Sequence, residues 1–319
     1  MALPLLVDCD TGIDDAIALT YLACRDDAEV AGIVSTGGNV PAATVHRNNL
    51  ALSELLGLDA PVTLGADRPL VEPPMFADDT HGPGGLGHAV LPGASLDGDP
   101  RSGAQLWVDL ARERPGELVG LVLGPHTNLA HALEIEPELP RLLRRLHVMG
   151  GAINHRGNTG ATSEWNIAVD PEAAQRVLAA FASAPQLPVL GALQATEQIV
   201  FTGAELERLE ALAARSAHPV ARILADAVRF YFEFHQADGF GWTAHVHDPL
   251  VTAHALTGEF ASTRPLPVDV ELAGTLTRGQ TVGDELGRWG RGPTVELLDE
   301  VRPAEFVEHL LGTLEAGLG

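Results

Sequence analysis

The chain has 319 residues, 45% of them hydrophobic and 20% charged, the make-up of a globular protein rather than a disordered one. Its 43 acidic residues against 20 basic ones give a formal charge of -23, which excludes nucleic acid and an anionic membrane surface as expected partners. Every basic residue is arginine; without a lysine, Schiff-base chemistry and any lysine-dependent phosphate site are excluded as well.

In chain order, Leu5-Leu6-Val7 reads as a buried strand, Thr11-Gly12 as a turn, and Asp14 to Leu19 as the first turns of an apolar helix. Asp8, Asp10, Asp14 and Asp15 are thereby crowded at a strand's carboxyl end, where ligands bind in open α/β sheets. Helix capping accounts for Asp14 or Asp15. It leaves Asp8 and Asp10, which flank Cys9 and fall on one face of the strand end. Carboxylates gathered this closely point to a bound cation.

Val30 to Thr36 predicts a second strand ending in Gly37-Gly38-Asn39, Thr44 to Gly57 a helix, and Pro61 to Leu64 a short strand. Val71 to Ala94 is a long segment rich in glycine and proline around His81-Gly82-Pro83-Gly84-Gly85-Leu86-Gly87, read as a mobile lid that delivers His81 on closure. Leu118 to Leu123 and Leu146 to Met149 predict strands that stop at Gly124-Pro125 and Gly150-Gly151. Pro171 to Phe181 predicts a helix, Pro188 opens another strand, and Glu205 to Gln236 holds two helices divided near Ser216 to Pro219. Pro265 to Leu272 and Thr275 to Val282 predict an antiparallel hairpin at the sheet margin. This alternation predicts an α/β fold, a doubly wound, mostly parallel sheet with a small antiparallel margin, in one domain spanning 1–319.

Cys9 and Cys24 are the only cysteines, so no disulfide framework is expected. No basic segment followed by an apolar core opens the chain, and no run reaches membrane-spanning length, so the expected location is cytoplasmic. For the acid cluster, an all-oxygen ligand set suits Ca2+ better than zinc, since histidine and cysteine are not clustered with zinc-site spacing. Asp248, in Trp242-Thr243-Ala244-His245-Val246-His247-Asp248-Pro249, is the best distant carboxylate to complete the cage, because Asp followed by Pro suits a helix entry.

Five stretches together resemble the nucleoside hydrolases of the inosine-uridine-preferring type. They are Asp8-Cys9-Asp10-Thr11-Gly12-Ile13-Asp14-Asp15; Gly38-Asn39; Gly124-Pro125-His126-Thr127-Asn128-Leu129-Ala130; Met149-Gly150-Gly151 through Gly157-Asn158 to Glu164-Trp165-Asn166; and His247-Asp248-Pro249. Their order and spacing span residues 8 to 249, which is far more specific than any one of them. The resemblance implies a Rossmann-like sheet and hydrolysis of the N-glycosidic bond of a small-molecule nucleoside. It also implies a Ca2+ held by Asp10, Asp15, Asp248 and the backbone carbonyl of Thr127, and assembly as a homodimer or homotetramer.

The same resemblance makes Asp10 the base that takes a proton from water, and places Asp14, Asn39, Asn158, Glu164 and Asn166 around the ribose with Met149 at its edge. His247 is the expected acid toward the departing base, with His81 second. Trp165 lies in the substrate-binding triplet, and Tyr231 and His235, four apart on one helical face, are expected to contact the base. Asp8 is expected to brace the strand end. Thr11, His126 and Trp165 depart from common family residues, and His247 stands where the purine-specific branch carries Trp, so base preference stays open.

Two other readings start from the same residues. Asp8-Cys9-Asp10-Thr11 also fits the nucleophile motif of haloacid-dehalogenase-type phosphatases, which usually need a lysine that this chain lacks. A non-enzymatic Ca2+-dependent sugar-binding module needs the same metal and hydroxyl ligands but neither base nor acid.

Overall fold

A computed structural model describes residues 2–319. Strand β1 (Leu3–Cys9) lies between β2 (Ala28–Ser35) and β4 (Val119–Val122), with β3 (Val62–Leu64) outside β2. On the other side follow β5 (Arg145–Met149) and β6 (Val189–Gly191), then Val295–Val301 and, at the edge, Ala261–Leu266. All neighbours run parallel except the last pair, which is antiparallel. The doubly wound, mostly parallel sheet expected from the sequence is therefore the observed one.

The strands read as continuous apolar runs because both faces are covered. Along β1, Leu5, Val7 and Cys9 face one core while Leu6 faces the other. The first core takes α1 (Ile13–Ala23) and the helices Pro219–Ala237, Asp248–Thr257 and Pro303–Leu318. The second takes Gly103–Glu113, Thr127–Ile135 and Pro171–Phe181.

Winding reverses between β1 and β4, and this switch point opens a crevice at the carboxyl ends of both strands. Two expectations are corrected at the margin. The predicted hairpin reduces to Val268–Val270 paired with Thr281–Gly283, a separate two-stranded sheet rather than an extension of the main one. The antiparallel margin is formed instead by Ala261–Leu266 on Val295–Val301.

Candidate active site

Three elements bring four acids to the switch point. Asp10 follows the end of β1, Asp14 and Asp15 lie in the first turn of α1, and Asp248 opens the helix Asp248–Thr257. Carboxylate oxygens of Asp14, Asp15 and Asp248 all lie within 4.8 Å of one another, and these acids, like Asp10, are at most 5% exposed. The two helix N-termini favour negative charge here. They do not neutralise it.

Capping explains half of Asp15. Its Oδ2 accepts from the backbone N–H of Gly12 at 2.8 Å, whereas its Oδ1 is buried without a partner. Burial and then the charge of Asp14 push the Asp15 carboxyl up to about 8. Burial and Asp15 push Asp10 up. Asp248 is raised by burial, and the charges acting on it are all acids, namely Asp14, Asp15, Asp10 and Glu164. An unpartnered buried oxygen within an all-oxygen acid cluster fits a hard divalent cation.

Asp10 is boxed in. Its Oδ2 accepts from the backbone N–H of Asn39 at 2.8 Å, and a Cβ at residue 38 would stand 2.1 Å from that oxygen. On the other side, a Cβ at residue 124 would lie 2.8 Å from Oδ1. Glycine at 38 and 124 lets two loops close on one carboxylate.

Asp8 points elsewhere. Its Oδ2 accepts from Trp107 Nε1 at 2.8 Å, and its Oδ1 from Asn128 Nδ2 at 3.1 Å and from the Thr36 hydroxyl, with no exposure. Burial raises its carboxyl to about 6, and those hydrogen bonds pull it down. Asp8 and Asp10 do not act as one pair: Asp10 lies beyond the end of β1, whereas Asp8 ties β1 to the residue after β2 and to two helices beneath the site. Fully hydrogen-bonded and off the cleft, it is no phosphate-accepting nucleophile.

A cleft of about 550 Å³ opens above the acids, within the usual range for small-molecule sites. Asp10, Asp14, Asn39, His81, Met149, Asn158, Glu164, Trp165, Asn166, Tyr231, His235, His247 and Asp248 all line it. Asn39 adds a long contact from Nδ2 to Asp15 at 3.5 Å. Glu164 caps the short helix Trp165–Val169, accepting from the N–H groups of Asn166 and Ile167, and it also accepts from Gly151 at 2.9 Å. Asn166 donates through Nδ2 to the Leu123 carbonyl at 2.7 Å and to the Met149 carbonyl at 3.2 Å. Asn158 Oδ1 accepts from the Trp165 N–H at 3.0 Å.

Hydrogen bonds hold the imidazoles of His81 and His247 at the cleft. His81 Nδ1 accepts from the Ile13 N–H at 3.1 Å, so the neutral ring carries its proton on Nε2. Its ring lies 5.2 Å from that of Tyr231. His81 ends the short helix Asp78–His81 and is buried against the start of α1. Burial lowers His81 to about 4 and His247 to about 3. His247 Nδ1 meets the Thr196 hydroxyl at 2.9 Å, and its backbone N–H reaches Asp14 Oδ2 at 3.3 Å. Tyr231 directs its hydroxyl at Asp14 Oδ1 at 3.5 Å, where burial and that acid raise the phenol.

Thr127 is anchored through its side chain. It opens the helix Thr127–Ile135, its hydroxyl donates to Asp170 Oδ2 at 2.7 Å, and it does not line the cleft. Leu123, just past β4, does. The sequence offers only the end of an apolar run as a signal for it. Arg156, Glu197, Phe240 and His245 also line the cleft, and sequence reasoning assigns them no role. Only His245 carries a visible hint, two residues before His247.

An acid-floored cleft at the switch point of a doubly wound sheet defines a small-molecule site of the α/β class. The chain matches the family model for inosine-uridine preferring nucleoside hydrolase over residues 5–308 and belongs to that family. It is 36% identical over 312 residues to the pyrimidine-specific ribonucleoside hydrolase RihA of Citrobacter koseri, covering 97% of each chain. The Salmonella arizonae RihA is likewise 36% identical over 318 residues, covering 99% of each. Among solved structures, a plant nucleoside hydrolase superposes with a TM-score of 0.90 at 27% identity, covering 99% of both chains. A purine-preferring ribonucleoside hydrolase from Gardnerella vaginalis gives 0.90 at 28%, covering 98% of both. The chain is thus a nucleoside hydrolase. Among the described residues no helix is long and apolar enough to cross a membrane.

Proposed function

We propose that the cleft hydrolyses pyrimidine ribonucleosides with Ca2+ as cofactor, Asp10 as base, and His247 and His81 as hydrogen-bond donors to the leaving nucleobase. The observation that carries this is the buried acid cluster, in which Asp15 keeps an unpartnered oxygen beside Asp14 and Asp248. Asp10, Asp15 and Asp248 would hold the cation with a strand-end backbone carbonyl. Thr127, whose hydroxyl is tied to Asp170, supplies that carbonyl, as the family resemblance implies. When bound, a divalent cation there neutralises the acids and lowers the pKa of a water.

Asp10 takes one proton from the attacking water as its oxygen bonds to the anomeric carbon and the C–N bond to the base breaks. Attack opposite the base inverts that carbon, through an oxocarbenium-like sugar. Asp14, Asn39, Asn158 and Asn166 supply donors and acceptors for the ribose hydroxyls, with Glu164 and Met149 shaping the pocket. Burial keeps His81 and His247 neutral, so His81 through Nε2–H, and His247 with the Thr196 hydroxyl donating to its Nδ1, each offer an N–H hydrogen bond as the base departs with the bonding electron pair. The base then takes a proton from solvent, and Asp10 returns one to solvent. Tyr231, His235 and Trp165 surround the base. The pyrimidine preference is supported by the two relatives at 36% identity.

Free Cys9 and Cys24 agree with a reducing, cytoplasmic compartment, and a homodimer or homotetramer is proposed on the family resemblance. Both sheet faces pack into cores that draw on helices from end to end of the chain, which supports a single domain. The test is ribose release from inosine, adenosine, guanosine, uridine and cytidine with Ca2+ present. Release from cytidine or uridine is expected. No release from any of the five refutes hydrolysis and favours a sugar-binding role. Asp10→Ala should abolish turnover while the circular dichroism spectrum stays that of wild type; retained turnover removes Asp10 from its role.

A further inference from the structure

The cleft contains two imidazoles that bond cleavage does not use. His235 and His245 both line it, with ring centroids 5.4 Å apart and the edge of Phe240 against each. Each ring is anchored by Nδ1 to a backbone carbonyl, His235 to Tyr231 at 2.8 Å and His245 to Glu197 at 2.9 Å. A carbonyl only accepts, so Nδ1 carries the proton of the neutral ring and Nε2 carries a lone pair. Among the described residues neither Nε2 has a hydrogen-bond partner, and neither belongs to the buried unpartnered atoms, so both lone pairs are accessible on rings that line the cleft. Burial lowers His235 further below the ordinary imidazole range, which keeps its lone pair free at neutral pH. His81 is the opposite case, since its Nδ1 accepts and its Nε2 carries the hydrogen.

We propose that His235 and His245 read the nucleobase by bracketing an exocyclic amino group with their two Nε2 acceptors, so that the site selects cytidine over uridine. This rests on the ribonucleoside reading above. An amino group conjugated to a pyrimidine ring has two N–H donors in the ring plane and satisfies both acceptors at once. The 4-oxo group of uracil sets its lone pairs against theirs and leaves them unpaired. A site built to hydrogen-bond a substrate group rejects the analogue lacking it far more strongly than an apolar pocket does.

The experiment compares kcat/KM for cytidine and uridine in the wild type, His245→Phe and His235→Phe. Phenylalanine keeps the ring volume and removes the acceptor. A wild-type preference for cytidine of about tenfold or more is expected, with most of it lost in each variant. The ratio is independent of the fraction of enzyme correctly folded, so a partly misfolded variant still reports. Equal kcat/KM values in the wild type, a uridine preference, or variants that keep the wild-type ratio overturn the inference. Ribose release from purine nucleosides alone overturns it while leaving hydrolysis intact. Release from no nucleoside at all instead overturns the proposed function, and this inference falls with it.

Discussion

Replacing Gly38 by alanine tests whether the site depends on holding Asp10 in place. The new Cβ would stand 2.1 Å from Asp10 Oδ2, and real Cβ atoms essentially never approach a neighbour closer than 3.0 Å, so carboxylate and loop must separate by about 1 Å. Asp10 cannot retreat freely. Gly124 faces its other oxygen closely enough that even a Cβ there would stand 2.8 Å away, and movement away from residue 38 strains the 2.8 Å bond from the Asn39 N–H. A misplacement of about 1 Å in a catalytic group costs on the order of 100-fold in rate. That factor corresponds to about 2.7 kcal/mol of transition-state stabilisation. The assay is kcat/KM for ribose release from cytidine and uridine, with circular dichroism and Tm as checks on the fold. Gly312→Ala is the control: residue 312 lies in the helix Pro303–Leu318 with nothing within 4 Å of where its new methyl group would sit, and the change should raise stability by about 0.5–1 kcal/mol without altering turnover. A Gly38→Ala enzyme with wild-type kcat/KM refutes the argument that these glycines exist to box Asp10.

The acid cluster also sets a pH dependence. Asp15 is raised to about 8 in the folded protein, so the cation-free fold holds a proton that the unfolded chain releases, and this contribution to stability is lost as pH rises from about 4 towards 8. Histidines lowered by burial, such as His81 and His126 at about 4, work in the opposite direction, so the quantity to measure is wild type minus Asp15→Asn. With chelator, Tm of the wild type relative to Asp15→Asn should be lower at about pH 8 than at about pH 5.5. Added Ca2+ should raise the wild-type Tm most at the higher pH, because ligands must be deprotonated to bind. A pH-independent difference contradicts this. Trp107→Phe removes the buried N–H donor to Asp8 and should lower stability by about 1–3 kcal/mol, read as a fall in Tm; an unchanged Tm means that Asp8 is no brace. His81→Ala should lower kcat by about 100-fold through loss of its Nε2–H donor, and an unchanged kcat removes it from the chemistry.

Local pattern makes most of the frame legible. Strands β1, β2 and β4 to β6 announce themselves as apolar runs stopped by Gly, Pro or Asp, because both faces of a parallel sheet are buried. Pro171 to Phe181 is found with the bounds its proline entry and apolar spacing predict. The strand Val295–Val301 is not predicted by local pattern, since its place between β6 and Ala261–Leu266 depends on pairing partners far away in the chain. The hairpin's expected place on the main sheet fails for the same reason: alternation marks a strand but not its neighbour.

Within the site, the sequence by itself determined that acids accumulate at one strand end. Carboxylates interrupting an apolar run have no structural use unless something compensates them. It also determined, through the complete absence of lysine, that no lysine takes part in the chemistry. Tertiary structure decided which acid does what. Asp8 and Asp10 are two residues apart, yet one is spent on Trp107, Asn128 and Thr36 while the other enters the cleft, because β1 ends at Cys9 and leaves Asp8 within the sheet and Asp10 beyond its carboxyl edge. Packing likewise put Leu123 at the cleft, seated His81 against the start of α1, and fixed the ring orientations of His235 and His245 through bonds to backbone carbonyls. Backbone carbonyls carry no residue identity, so no reading of side chains in one dimension could have found those anchors.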